Sequence, residues 1–158
     1  MVSLGRFFLL STSLALSTWA TTVGAALLTW QDPGVDDWFD GTNWDAGGAI
    51  PTAVDVARIR NGGTAAANAS IEVQTLNLGS TADTTAASGH LVVSPGDLTL
   101  NGSLLVGSTT SVSATGTSAQ GSLSVDGAIS GATGALMLGS NRGAGSTAVG
   151  TITADAYT

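Results

Sequence analysis

The sequence predicts an all-β chain: a right-handed parallel β-solenoid with three short strands per coil and about 28–32 residues per repeat, closed by a Trp-rich N-terminal cap. Three observations predict it. A phrase ending in Leu-Gly-Ser or Val-Gly-Ser recurs at Leu76–Ser80, Leu104–Ser108 and Leu136–Ser140, so that Gly79, Gly107 and Gly139 stand 28 and then 32 residues apart. A second phrase keeps nearly the same beat at Gly89-His90-Leu91-Val92-Val93, Gly121-Ser122-Leu123-Ser124-Val125 and Gly150-Thr151-Ile152-Thr153-Ala154. Between the phrases lie corner residues such as Asn101-Gly102 and Asp126-Gly127. Repetition at this interval marks units that bury their apolar faces on one another. An antiparallel sandwich also has short, evenly spaced strands, but it does not require one phrase to return on this beat.

Taken in order, residues 1–25 read as a secretory signal peptide: Arg6 in the n-region, an apolar stretch from Phe7 to Leu16, then small residues with cleavage after Ala20, Ala25 or Ala26. The competing reading is an uncleaved anchor, which the Ser and Thr content disfavours. Residues 26–63 form the cap and first strand. Here Trp30, Trp38, Trp44 and Phe39 mix with Asp32, Asp36, Asp37, Asp40 and Asp45 among Gly and Pro breakers. Val54 to Ile59 alternates and reads as the first true strand, with Asn61-Gly62-Gly63 turning the chain. Residues 64–158 hold the repeats, whose strands begin at Ile71.

Stacking one coil on the next aligns Leu91 with Leu123 and Ile152, Val93 with Val125, Leu98 with Ile129, and Leu78 with Val106 and Leu138. Alternation then turns His90, Val92, Ser122, Ser124, Thr151 and Thr153 outward. Each inward Leu or Val contributes roughly 1.5–3 kcal/mol, against an ordering cost of roughly 1–2 kcal/mol per residue. The corner glycines, Gly89 and Gly121 included, are expected to supply positive φ.

Composition narrows the function. Charged residues are 9 %, the net charge is −7 and all four basic residues are Arg, so no basic stripe exists for nucleic acid. Cysteine is absent, which removes disulfides and thiolate metal sites.

The signal peptide, the Trp30…Trp38…Asn43-Trp44…Pro51…Asp55-Val56-Ala57-Arg58-Ile59…Asn61-Gly62-Gly63 entry and the Gly-x-Leu-x-Val and Leu-x-Leu-Gly strands together resemble the passenger regions of bacterial autotransporters and the β-solenoid ectodomains of PEP-CTERM surface proteins. The resemblance implies an exported, surface-displayed or extracellular structural or adhesin-type protein, non-catalytic in this region. Surface glycans or other surface proteins would be its partners. Residues 1–158 themselves contain neither a translocator barrel nor a Pro-Glu-Pro sorting tail. The expectation is therefore the N-terminal portion of a longer protein, attached to the outer membrane or envelope through a region beyond it.

Candidate sites are few. Asp36, Asp37, Asp40 and Asp45 offer oxygen ligands for calcium, the one cofactor the sequence suggests, although the EF-hand pattern fails and a solvated acidic loop is the simpler reading. Trp30, Trp38 and Trp44 offer stacking surfaces for carbohydrate, against the simpler reading that they fill the solenoid end. His90 is the only histidine, and no Ser/His/Asp spacing supports catalysis. Asp97 and Asp126, on successive coils, suit turn geometry better than a carboxylate dyad. The enzymatic alternative is a β-helical polysaccharide lyase or glycoside hydrolase represented by its entry coils.

Overall fold

A computed structural model describes residues 24–81, 85–112, 115–131 and 134–158; the segment expected to be a signal peptide lies outside them apart from Gly24 and Ala25. The described residues contain twelve strands and one 3-10 turn at Gly41–Asn43. The strands are β1 (Leu27–Thr29), β2 (Val35–Asp37), β3 (Val56–Ile59), β4 (Asn61–Ala67), β5 (Ile71–Val73), β6 (Thr75–Leu78), β7 (Ala87–Val93), β8 (Leu98–Leu100), β9 (Leu104–Val106), β10 (Ser118–Ser130), β11 (Leu136–Leu138) and β12 (Thr147–Tyr157).

Every strand ladder among them is parallel, and the chain winds as a β-solenoid of about four turns. One face stacks β1, β3, β6, β9 and β11. The second stacks β2, β4, β7 and the first halves of β10 and β12, and the third stacks β5, β8 and the strand end Ala128–Ser130. In the last two coils the second and third faces are one strand bent at a register shift between Val125 and Ala128. Asp126-Gly127 is thus a bulge inside β10. Gly127 sits at φ 152°, and Asp97 of the rung before accepts the Ala128 N–H at 2.8 Å.

The interior ladders are those the repeats predict. Leu91, Leu123 and Ile152 are in register, as are Val93 with Val125, Leu98 with Ile129, and Leu78 with Val106 and Leu138. Leu78, Leu91, Leu98 and Val106 are fully buried.

The cap contains structure the sequence hid. β1 and β2 lay a half-coil in front of β3 and β4. Trp30 and Trp38 continue the ladders of Ile59 and Ala67, donating their backbone N–H groups to Arg58 O (2.8 Å) and Ala66 O (2.9 Å). Trp44 packs edge-on against both, with ring centroids 5.1 and 4.8 Å away, and its Nε1 donates to Trp38 O at 3.0 Å. The first coil makes room for these rings. Three of its inward positions are Ala57, Ala65 and Ala67, where the next coil carries Leu76, Leu91 and Val93, and the fourth is Ile59.

Two expectations need correction. Asn61-Gly62-Gly63 opens β4, and only Gly62, at φ 92°, makes the corner; the Thr-Ala-Ala-Ala run that follows is a strand because the indoles fill the space that larger side chains would otherwise need. Gly89 and Gly121 do not supply positive φ. They lie within β7 and β10, where a Cβ would meet Ile59 O at 2.0 Å and Leu78 O at 2.4 Å respectively. Gly102 has no positive φ either; among the corner glycines of the repeats it belongs to Gly79, Gly107 and Gly139, at 57°, 55° and 57°, and to Gly127.

Candidate functional site

The aromatic and acidic candidates are structural where the chain places them. Trp30, Trp38 and Trp44 are 1 %, 1 % and 3 % exposed, so their rings present no stacking face to a carbohydrate in solution. That expectation is corrected: the hydrophobic gain of closing the tube end takes up the indoles, which is the end-filling role. The carboxylates are spent on backbone N–H groups of the cap, Asp36, Asp37 and Asp40 locally and Asp45 across it. Asp36 Oδ1 accepts the Asp37 N–H (2.7 Å), Asp37 Oδ1 the Phe39 N–H (2.9 Å), and Asp45 Oδ1 the Thr29 N–H (2.7 Å). Asp40 Oδ1 accepts from Thr42 N (2.8 Å) and Thr42 Oγ1 (2.7 Å), which lowers its pKa below the ordinary value. Among the described residues these side chains do not converge as a metal site.

Asp55 is 6 % exposed. Burial raises its pKa, but hydrogen bonds from Thr52 Oγ1 (2.6 Å), Ala26 N (2.8 Å) and Thr52 N (3.0 Å) outweigh that and leave it lowered. The carboxylate ties the chain just before β1 to the first coil. His90 is half-buried, with Nδ1 2.6 Å from Ser122 Oγ one rung on, an outward rung-to-rung contact. Asp97 and Asp126 serve the bulge: Asp126 Oδ2 accepts from Ser94 Oγ at 3.2 Å.

A cleft that the sequence did not single out lies at the corner between the first and second faces. In the second, third and fourth coils that corner carries a polar loop. Ser80 Oγ accepts the Ser108 N–H (3.1 Å), and Ser108 Oγ accepts the Ser140 N–H (3.3 Å). Thr81, Thr109 and Asn141 bridge in parallel, so the loops stack into a flange. The first coil has a single residue there, Arg60, at the register position of Gly79. The flange therefore ends in a step.

On the first-face side of the step is a cleft of about 430 Å³ lined by Arg58, Arg60, Asn77, Leu105 and Thr110, with Ser80 and Thr81 at its wall. On the second-face side, Arg60 also borders a hollow of about 490 Å³ with Asn61, Ser88 and Gln120. Arg58, Asn77 and Leu105 are consecutive members of one outward ladder, Thr29–Arg58–Asn77–Leu105–Met137. Asn77 Oδ1 is shut from water without a hydrogen-bond partner. The cleft thus gathers two of the four cations of a chain with net charge −7. The sequence signal was the missing glycine: the corner column Gly79, Gly107, Gly139 is broken by Arg60 in the first coil.

Fold and site together define a parallel β-solenoid with an aromatic end-filling and a stepped, arginine-bearing flank. No family model, curated protein or solved structure matches the chain.

Proposed function

We propose that the chain is an exported bacterial surface or extracellular protein of the autotransporter-passenger or PEP-CTERM-ectodomain type, serving as a structural and adhesive β-solenoid and non-catalytic in this region. The observation that carries the proposal is the division of labour along each strand. Inward positions form continuous apolar ladders, while outward ladders such as Thr64–His90–Ser122–Thr151 hold small or medium polar side chains in axial rows. A tube of this kind gains about 4.8 Å of height per rung, and along that second-face ladder it repeats polar side chains from coil to coil. That suits a spacer or a multivalent contact surface.

The test is fractionation of the producing cell with N-terminal sequencing of the recovered protein, together with protease treatment of intact cells. The expected result is cleavage after Ala20, Ala25 or Ala26 and loss of the protein on external proteolysis. Recovery from the cytosol with Met1 to Ala26 intact would overturn the proposal.

A further inference from the structure

We infer that the Arg58 cleft is a binding site for an acidic saccharide unit, a sugar bearing a carboxylate or sulfate. The inference names the ligand of the adhesive reading and rests on it for its biological sense. Its geometry and test stand apart from where the protein is found.

Arg58 points outward from β3, and its two register neighbours, Thr29 and Asn77, are neutral, so no acid competes for it along the ladder. A guanidinium fork fits the two oxygens of a carboxylate or sulfate better than a point charge does. Arg60, which already makes an interaction within the protein, lines the same cleft. The chain elsewhere is acidic, so this spot is where an anion is attracted rather than repelled.

The rest of the lining suits the sugar itself. Thr110 Oγ1 donates to Thr81 O at 3.3 Å, which leaves its lone pairs to accept from a ligand hydroxyl. A buried acceptor without a partner is costly in a folded protein. Because Asn77 Oδ1 has no hydrogen bond to give up, a turn about χ2 can present either end of the carboxamide to the cleft. Leu105, next in the ladder, supplies an apolar surface for the C–H face of a pyranose. A cleft of about 430 Å³ is within the range of small-ligand sites and takes one or two sugar rings. Inorganic anions would use the guanidinium alone, and a neutral sugar would use everything except it.

The test is calorimetric titration of the full chain, at low ionic strength, with a trisaccharide of galacturonic acid, with the matching neutral galactose trisaccharide and with inorganic sulfate. The acidic trisaccharide is expected to bind at least about tenfold more tightly than either of the others, and Arg58→Gln to remove at least about tenfold of that affinity. Arg142→Gln, a neutralisation on the fourth-coil loop, should leave it unchanged. Leu105→Asp, which puts a carboxylate beside Asn77 without touching an arginine, should weaken binding by a similar factor and guards against a folding defect in the first variant. Equal affinity for the neutral sugar, equal affinity for sulfate, insensitivity to both cleft variants, or no binding each overturns the inference. A cytosolic location would overturn the proposed function and leave the binding result standing.

Discussion

Replacing Gly121 by alanine separates two opposed forces. Strand propensity favours the change, because glycine inside a strand is less stable than alanine by roughly 0.5–1 kcal/mol. The solenoid opposes it. A Cβ at Gly121 would lie 2.4 Å from Leu78 O and 2.6 Å from Gly107 N, both main-chain atoms, and 3.0 Å from Val106 Cγ1. Those two main-chain atoms already bond to each other, Gly107 N donating to Leu78 O at 2.8 Å, so the new methyl would press on both ends of one hydrogen bond. Neither can turn aside, since Leu78 and Val106 are at 0 % exposure in the same inward ladder. Reaching ordinary contact distance means moving one rung by about an ångström, with overpacking of about 1–3 kcal/mol and about 1 kcal/mol for the weakened bond. The net loss is about 2 kcal/mol, a fall in Tm of about 4–8 °C for a chain of this size. Far-UV circular dichroism through a thermal ramp reads it. A Gly121→Ala protein as stable as the wild type would refute the argument that rung spacing at this corner is set by glycine contact.

Other expectations follow from burial and bonding. Leu91→Ala, at a position with 0 % exposure, should cost about 2–5 kcal/mol by denaturant titration, whereas Leu138→Ala, 48 % exposed in the last coil, should cost less than about 1.5 kcal/mol. Trp44→Ala should cost about 3–5 kcal/mol and red-shift the tryptophan emission, because it opens the space between Trp30 and Trp38 to water. Asp55→Ala should destabilise by about 2–4 kcal/mol at neutral pH through the loss of three donated hydrogen bonds. The Asp55 pKa is lowered from 3.8, so its stabilisation is present above that value and is lost as pH falls through the folded pKa. The Tm gap between wild type and Asp55→Ala should therefore close on acidification below the ordinary carboxylate range. A gap that persists in acid would show that the carboxylate charge is not what holds β1.

How much of this was legible in the sequence depends on whether a residue's role is written in its own chemistry or in its neighbour's. Leu91, Leu123 and Ile152 announce their ladder because an inward strand position selects large apolar side chains at a fixed spacing. Ala65 and Ala67 announce nothing: their smallness answers Trp30, Trp38 and Trp44, some thirty residues earlier, and the local sequence shows only the turn residues Asn61-Gly62-Gly63 ahead of them. The glycines show the same split. Gly79 and Gly121 look alike in the repeat, yet Gly79 combines a positive φ with a main-chain carbonyl, Gln120 O, that leaves no room for a Cβ, whereas Gly121 has no positive φ and is required by the approach of Leu78 O from the rung before. The Arg58 cleft was hidden for a related reason. It is made by a loop that three coils have and one lacks, so it is visible only after the coils are laid on each other.

The alanine-for-leucine exchange beneath the tryptophans gives the tube a direction. Its indole-filled cross-section is matched to one coil and to no other, so that coil and the cap behave as a sealed pair. The coils beyond share a common bore, and a gene that duplicated one of them, such as β7 through β9 with its loop, would lengthen the cylinder without reopening the seal. Reach can then be adjusted in steps of a single rung while the closed end stays as it is.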